Sequence, residues 1–249
     1  MPTGRQRQDW EDLSALDPYW AILSEPGQRF GRGDHDAFLE SGSNAVDAIL
    51  DEGAELGLPL ARHYALDFGC GAGRLTQALS RHFDRCLGLD ISEIMINEAR
   101  RIAADIPNCE FIAHHESSLA PLGTSTFDLV VCELVLQHVP ERDTKARLIT
   151  EFIRVLRPGG LLALQLPSWI PLRHRIQVRP RVYALLRNAG LPRRTLYRYL
   201  RLHPIRMSFV ARARVIDLIE AAGGQTLGVR NQTGAGGVVS TYYLATKRT

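Results

Sequence analysis

The stretch Leu66-Asp67-Phe68-Gly69-Cys70-Gly71-Ala72-Gly73 decides the fold. Tyr64–Phe68 reads as a buried strand, which gives way to three glycines at alternate positions and then to a helical pattern carrying Leu75, Ala78, Leu79 and Phe83. Glycines there let the chain turn tightly and let a ligand approach backbone where a Cβ would clash. Ligands of open α/β sheets sit at the carboxyl ends of the strands, so this loop is the expected cofactor edge. Its spacing, GxGxG, fits the dinucleotide fingerprint GxGxxG poorly, which speaks against a nicotinamide cofactor.

Outward from the loop, strands and helices alternate. Cys86–Leu89 reads as a second strand. Ser92 stands where an N-cap is needed, ahead of a helix to about Ala104. Phe111–Ala113 and Phe127–Cys132 read as strands, Arg142–Val155 as a helix stopped by Arg157-Pro158-Gly159-Gly160, and Leu161–Leu166 as a fifth strand. A helix over about Arg212–Ala222 and two strands, Thr226–Arg230 and Val238–Lys247, close the pattern. The reading is α/β: a Rossmann-like, mostly parallel seven-stranded sheet with helices on both faces and an inserted helical cap. Before the first strand, a helical stripe runs from about Ser41 to Leu56. The aromatics Trp10, Tyr19, Trp20 and Phe30 suggest an N-terminal segment that packs on something. Residues 1–60 are expected to be a helical lid segment. Residues 61–249 are expected to be one domain, with the cap at about 168–206.

A second clue sits 23 residues beyond Asp67, in Gly88-Leu89-Asp90-Ile91-Ser92. A carboxylate at the end of the second strand can accept hydrogen bonds from both hydroxyls of a ribose. Glycine loop and strand-end aspartate, in this order and spacing, are specific together. With LDFGCGAG, GLDIS, FDLVVCELVLQHVP and VLRPGGLL all in order, residues 60–167 resemble the class I S-adenosylmethionine-dependent methyltransferases, in particular the small-molecule branch called type 11. The resemblance implies S-adenosyl-L-methionine as cofactor and S-adenosyl-L-homocysteine as product. It implies that Gly69, Cys70, Gly71 and Gly73 line the methionine and ribose part, that Asp67 lies near the amino group, and that Asp90 binds the ribose. Ile91 and Met95 would flank the adenine, and Glu133 and Leu134 would close over the sulfonium side. After the third strand the family usually carries an acid that meets the adenine amine. This chain reads His114-His115-Glu116, so the adenine contact is assigned to His115 and Glu116.

Methyl transfer from a sulfonium is an in-line displacement, and positioning supplies much of its acceleration. An alcohol acceptor must also lose a proton, for which histidine is suited. His138, after the fourth strand, is the candidate base. The plainer alternative is a histidine that hydrogen-bonds a loop carbonyl and fixes the loop. Relatives that methylate quinone-type phenols carry a metal site, E-x-x-E-H, which Leu134 and Gln137 break here. No metal is therefore expected, although Glu133 and His138 stay close enough in sequence to leave a divalent ion open. The Asn/Asp-Pro-Pro-aromatic motif of base-amine methyltransferases is absent, and no DNA partner is expected.

Composition bounds the rest. The 249 residues carry a net charge of +3, yet Ser168 to Ile216 holds twelve arginines and no lysine, aspartate or glutamate, leaving +3 − 12 = −9 elsewhere. Such a segment suits an anionic substrate group, a lipid or RNA surface, or acids of its own protein across a subunit interface. No apolar run exceeds five residues, the length of Tyr19 to Leu23. The expectation is therefore a chain without a membrane span or signal peptide, in the cytoplasm. Cys70, Cys86, Cys109 and Cys132 show neither metal-ligand nor disulfide spacing. The expected function is O-methylation of a hydroxyl on a small molecule, anionic or glycosidic, such as a saccharide or other natural product. The cap and the N-terminal helices would form the acceptor pocket, and a homodimer is an option. The alternatives are an RNA or protein methyltransferase that uses the arginine cap, or a non-catalytic cofactor-binding partner subunit.

Overall fold

The computed structural model describes residues 4–23, 34–116 and 118–248. Phe30 and the side chain of Trp20 fall outside the described residues. Seven strands form one sheet: β1 Tyr64–Phe68, β2 Arg85–Asp90, β3 Cys109–Ala113, β4 Phe127–Cys132, β5 Leu156–Trp169, β6 Gly224–Thr233 and β7 Val239–Lys247. Their order is β3-β2-β1-β4-β5-β7-β6, and β7 alone runs antiparallel to its neighbours. The order reverses at β1, which lies between β2 and β4, and the crevice at that switch point is where such sheets bind ligands.

Ten helices accompany the sheet among the described residues: α1 Gly4–Ser14, α2 Pro18–Leu23, α3 His35–Glu55, α4 Arg74–Leu79, α5 Glu93–Ile102, α6 Arg142–Val155, α7 Leu172–Arg175, α8 Val178–Asn188, α9 Arg193–Arg198 and α10 Arg212–Ala221. Period-2 alternation in β4 sorts the two faces. Leu129 and Val131 pack with Val46 and Leu50 of α3 and Leu75 and Leu79 of α4. Val130 and Cys132 pack with Ile149 and Phe152 of α6 and Val215 and Ile219 of α10. Helix α3 thus covers the sheet, and the segment lying over the site is α1 and α2.

Two elements depart from the sequence pattern. Helix α3 starts at His35 rather than Ser41, because Asp34 caps it by accepting from the backbone N–H groups of Asp36 and Ala37. Its first turns show little apolar periodicity, and Gly42 there lies against the backbone of Arg74. Strand β5 begins at Leu156, directly after α6. The Pro158–Gly160 stretch is taken up as a register shift in the ladder rather than as a turn ahead of the strand. The cap, expected only as helical, holds three short helices, α7 to α9. The four cysteines are free thiols.

Candidate active site

The loop after β1 is built on left-handed backbone, with φ of 80° at Gly69, 53° at Gly71 and 83° at Gly73. A Cβ at Gly69 would run into Val135, and one at Gly71 into Ile22 of α2. The N–H groups of Gly69 and Cys70 both donate to the Leu89 carbonyl, which ties the loop to the end of β2. Asp90 completes the tie: it accepts from the Gly71 N–H at 2.9 Å and the Ser92 N–H at 2.8 Å. Burial pushes its carboxyl upward against these bonds.

Beneath the loop, Asp67 is 2 % exposed and accepts from the Thr76 hydroxyl at 2.7 Å. Burial raises its pKa to about 7, while that hydrogen bond and the nearby Arg74 pull it down. Arg74, the first residue of α4, is equally enclosed. It donates to the Ser41 carbonyl of α3 and to the Glu133 carboxylate, both at 3.0 Å. Glu133 leads into Leu134, a non-glycine residue at φ 62° whose N–H donates to the buried Gln165 side chain at 2.9 Å. A strained backbone held by a buried partner is characteristic of functional sites.

These elements surround a cavity that opens to solvent, the concave and largely apolar kind of site in which small molecules bind. Gly69, Gly71, Asp90, Ile91, Met95, Glu116, Glu133, Leu134 and His138 line it, so the structure brings nine of the sequence candidates together. Asp67, Cys70 and Gly73 sit behind the wall. His115 turns away toward Glu93, 3.3 Å from its carboxylate, and His114 takes the place on the wall. Among the described residues the wall has three carboxylates, Asp90, Glu116 and Glu133, and no lysine or arginine. No side chain of the arginine-rich cap reaches it, contrary to the expectation that the cap forms the acceptor pocket. The described residues hold no cluster of three or more His, Cys, Asp or Glu that could bind a metal ion.

His138 ends a single 3-10 turn, Leu136–His138. Its Nδ1 lies 2.9 Å from the Arg206 carbonyl, which can only accept. The ring is therefore protonated at Nδ1, and Nε2 carries the lone pair. The Gln137 side-chain amide, 3.1 Å away, donates to that lone pair. Burial, with Lys145 nearby, lowers the pKa of His138 to about 4. The chain around Arg206 is held by Ser208, which donates to the carbonyls of Gln137 and Val139 and receives the Lys145 ammonium.

Helices α1 and α2 lie over the cavity, and sequence reasoning missed how firmly they are attached. Glu11 accepts from Ser92 Oγ and from the N–H groups of Glu93 and Ile94, capping α5 from outside. Gln6 donates to the His138 carbonyl, and Trp10 sets its ring edge-on to His138 at 5.3 Å between centroids. Asp12 pairs with Arg193, and Asp17 accepts from Tyr197, so acids of the lid hold the cap. Arg74 and Gln165 were also missed. An arginine opening a helix that is otherwise core was the available signal for Arg74. Nothing in the sequence marks Gln165.

Residues 66–164 match a family described as a methyltransferase domain. The match takes in the glycine loop, Asp90 and Glu133. The chain is 31 % identical over 120 residues to a ubiquinone biosynthesis O-methyltransferase of Methylococcus capsulatus, covering 47 % of this chain and 48 % of the relative. It is 35 % identical over 104 residues to a trans-aconitate 2-methyltransferase of Azoarcus sp., covering 41 % and 38 %. The chain thus spans less than half the length of these curated relatives. In fold it is similar to magnesium protoporphyrin IX methyltransferase from Synechocystis PCC 6803, solved with S-adenosylhomocysteine bound. The TM-score there is 0.62 at 20 % identity, over 97 % of this chain and 99 % of that one.

Proposed function

We propose that this protein transfers a methyl group from S-adenosyl-L-methionine to the oxygen of a small, uncharged acceptor whose hydroxyl is carried on an apolar body. When bound, the cofactor supplies an electrophilic methyl group on a sulfonium. The wall suits it: glycines without Cβ, a strand-end carboxylate, and Asp90 and Glu116 facing a ligand of net positive charge, while Glu133 is already paired with Arg74. Asp90 retains lone pairs beyond its bonds to Gly71 and Ser92, and with these it would accept from the ribose.

The observation that carries the oxygen acceptor is the fixed tautomer of His138. The Arg206 carbonyl holds Nδ1–H and leaves Nε2 unprotonated, and His138 lines the cavity. As the acceptor hydroxyl approaches, it displaces the Gln137 N–H from the single Nε2 lone pair, and Nε2 then takes its proton. A turn of the Gln137 amide would then offer oxygen instead of N–H to the new Nε2–H. A base with a pKa near 4 works best on an acidic hydroxyl, a phenol or enol rather than a sugar alcohol. Trp10, Val135, Val139 and Leu148 make the surrounding wall apolar, which favours the same class and disfavours a saccharide or a carboxylate.

The test is a panel of phenolic, saccharide and carboxylic acceptors with wild type and His138→Gln. Phenolic or enolic products, with turnover reduced about 10²–10⁴-fold in His138→Gln and homocysteine-product affinity unchanged, are the expected outcome. Full turnover in His138→Gln, or methylation of a carboxylate or amine instead, would refute it.

A further inference from the structure

We propose that the cap spanning α7–α9 is a docking surface for bilayers of anionic phospholipid. Among the described residues, eleven large apolar side chains stand exposed, and eight of them fall between Trp169 and Leu200. In α8 they form a stripe. Val178, Val182 and Leu185 follow at steps of four and three, hence on one face, with exposures of 57, 36 and 69 %. Pro180 and Tyr183 are buried on the other side. The helix therefore has enough apolar surface to pack inward and a second apolar face turned to solvent. Leu172 and Ile176, four apart, continue this exposed apolar character just before it.

Charge selects the occupant. Arg179 and Arg181 flank the stripe on α8, and Arg194 and Arg201 follow; all four are exposed and none has an acidic partner among the described residues. Since Ser168 to Ile216 holds no Asp or Glu, a second copy of the chain docking face to face would bring arginines against arginines. RNA would be expected to meet a row of stacking aromatics, whereas six of the eight exposed side chains are aliphatic and neither Trp169 nor Tyr199 lies on the α8 stripe. Aliphatic side chains beside arginines match a membrane interface, where acyl chains receive the first and lipid phosphates the second. The cap is not needed to line the cavity, so its surface is available for this contact.

The experiment is co-sedimentation of the full chain with vesicles of phosphatidylcholine alone and vesicles that also contain phosphatidylglycerol. The chain should bind the anionic vesicles, weaken with salt, and leave the neutral ones unbound. Arg179→Gln with Arg181→Gln should lower the partition about 30-fold, and Val182→Asp with Leu185→Asp should abolish it. All four positions are exposed, and S-adenosylhomocysteine binding by each variant checks that the fold is kept. A folded wild type that stays in the supernatant with anionic vesicles overturns the proposal. So does binding to polyuridylic acid without vesicle binding, or a dimer that Val182→Asp with Leu185→Asp splits. Vesicle binding needs no acceptor, so loss of the methyl-transfer reading would leave this result standing.

Discussion

Replacing Arg74 by methionine tests whether the enclosed ion pair organises the site. The Arg74 and Glu133 side chains are 7 and 12 % exposed and 3.0 Å apart, and Arg74 also satisfies the Ser41 carbonyl. Methionine fills much of the same volume but leaves the Glu133 carboxylate without its cation. Breaking a buried pair from one side costs about 3–5 kcal/mol, mostly through the stranded charge. At roughly 2–4 °C per kcal/mol for a chain of this size, the melting temperature should fall by about 6–20 °C. Adding Glu133→Gln removes the stranded charge and should recover more than half of that loss. Thermal unfolding with both variants, at matched pH and salt, measures the difference. If Arg74→Met costs under about 1 kcal/mol and the second substitution changes nothing, the pair behaves like a solvated surface bridge and the reasoning fails.

Asp90→Asn keeps one accepting oxygen but turns an amide N–H₂ toward either the Gly71 or the Ser92 N–H, so the loop loses a charge-assisted bond. S-adenosylhomocysteine affinity should fall about 10–100-fold by calorimetric titration, and unchanged affinity would remove Asp90 from the site. The lowered pKa of His138 keeps its base form populated at every pH above about 4. The pH profile of kcat/KM should therefore show no falling acid limb from His138 between pH 7 and 5, where an unperturbed histidine would lose activity below about 6.5. A limb near 6.5 that disappears in His138→Gln would contradict this.

Much of the architecture was legible because it is local. Strand β1, the glycine loop, Ser92 as a cap and β4 are each written in a few consecutive residues, through side-chain period and backbone freedom. The start of α3 was not, since its first turns rest on one capping aspartate and on contact with Arg74 rather than on an apolar stripe. His114 and His115 show the same limit inside the site. Adjacent residues at a strand end point different ways, and only the path of the chain after β3 decides which one meets the cavity.

The sequence by itself therefore determined the sheet, the cofactor loop and the acid at the end of β2, because alternating glycines and strand-end carboxylates carry their physical meaning locally. Tertiary structure alone decided the rest. Arg206, 68 residues beyond His138, sets its tautomer, and Gln165 holds Leu134 in left-handed backbone. Arg74 neutralises Glu133, and no side chain of the arginine cap lines the cavity. Each depends on groups far apart in the chain, whose burial and hydrogen bonds exist only once the sheet and its helices have packed.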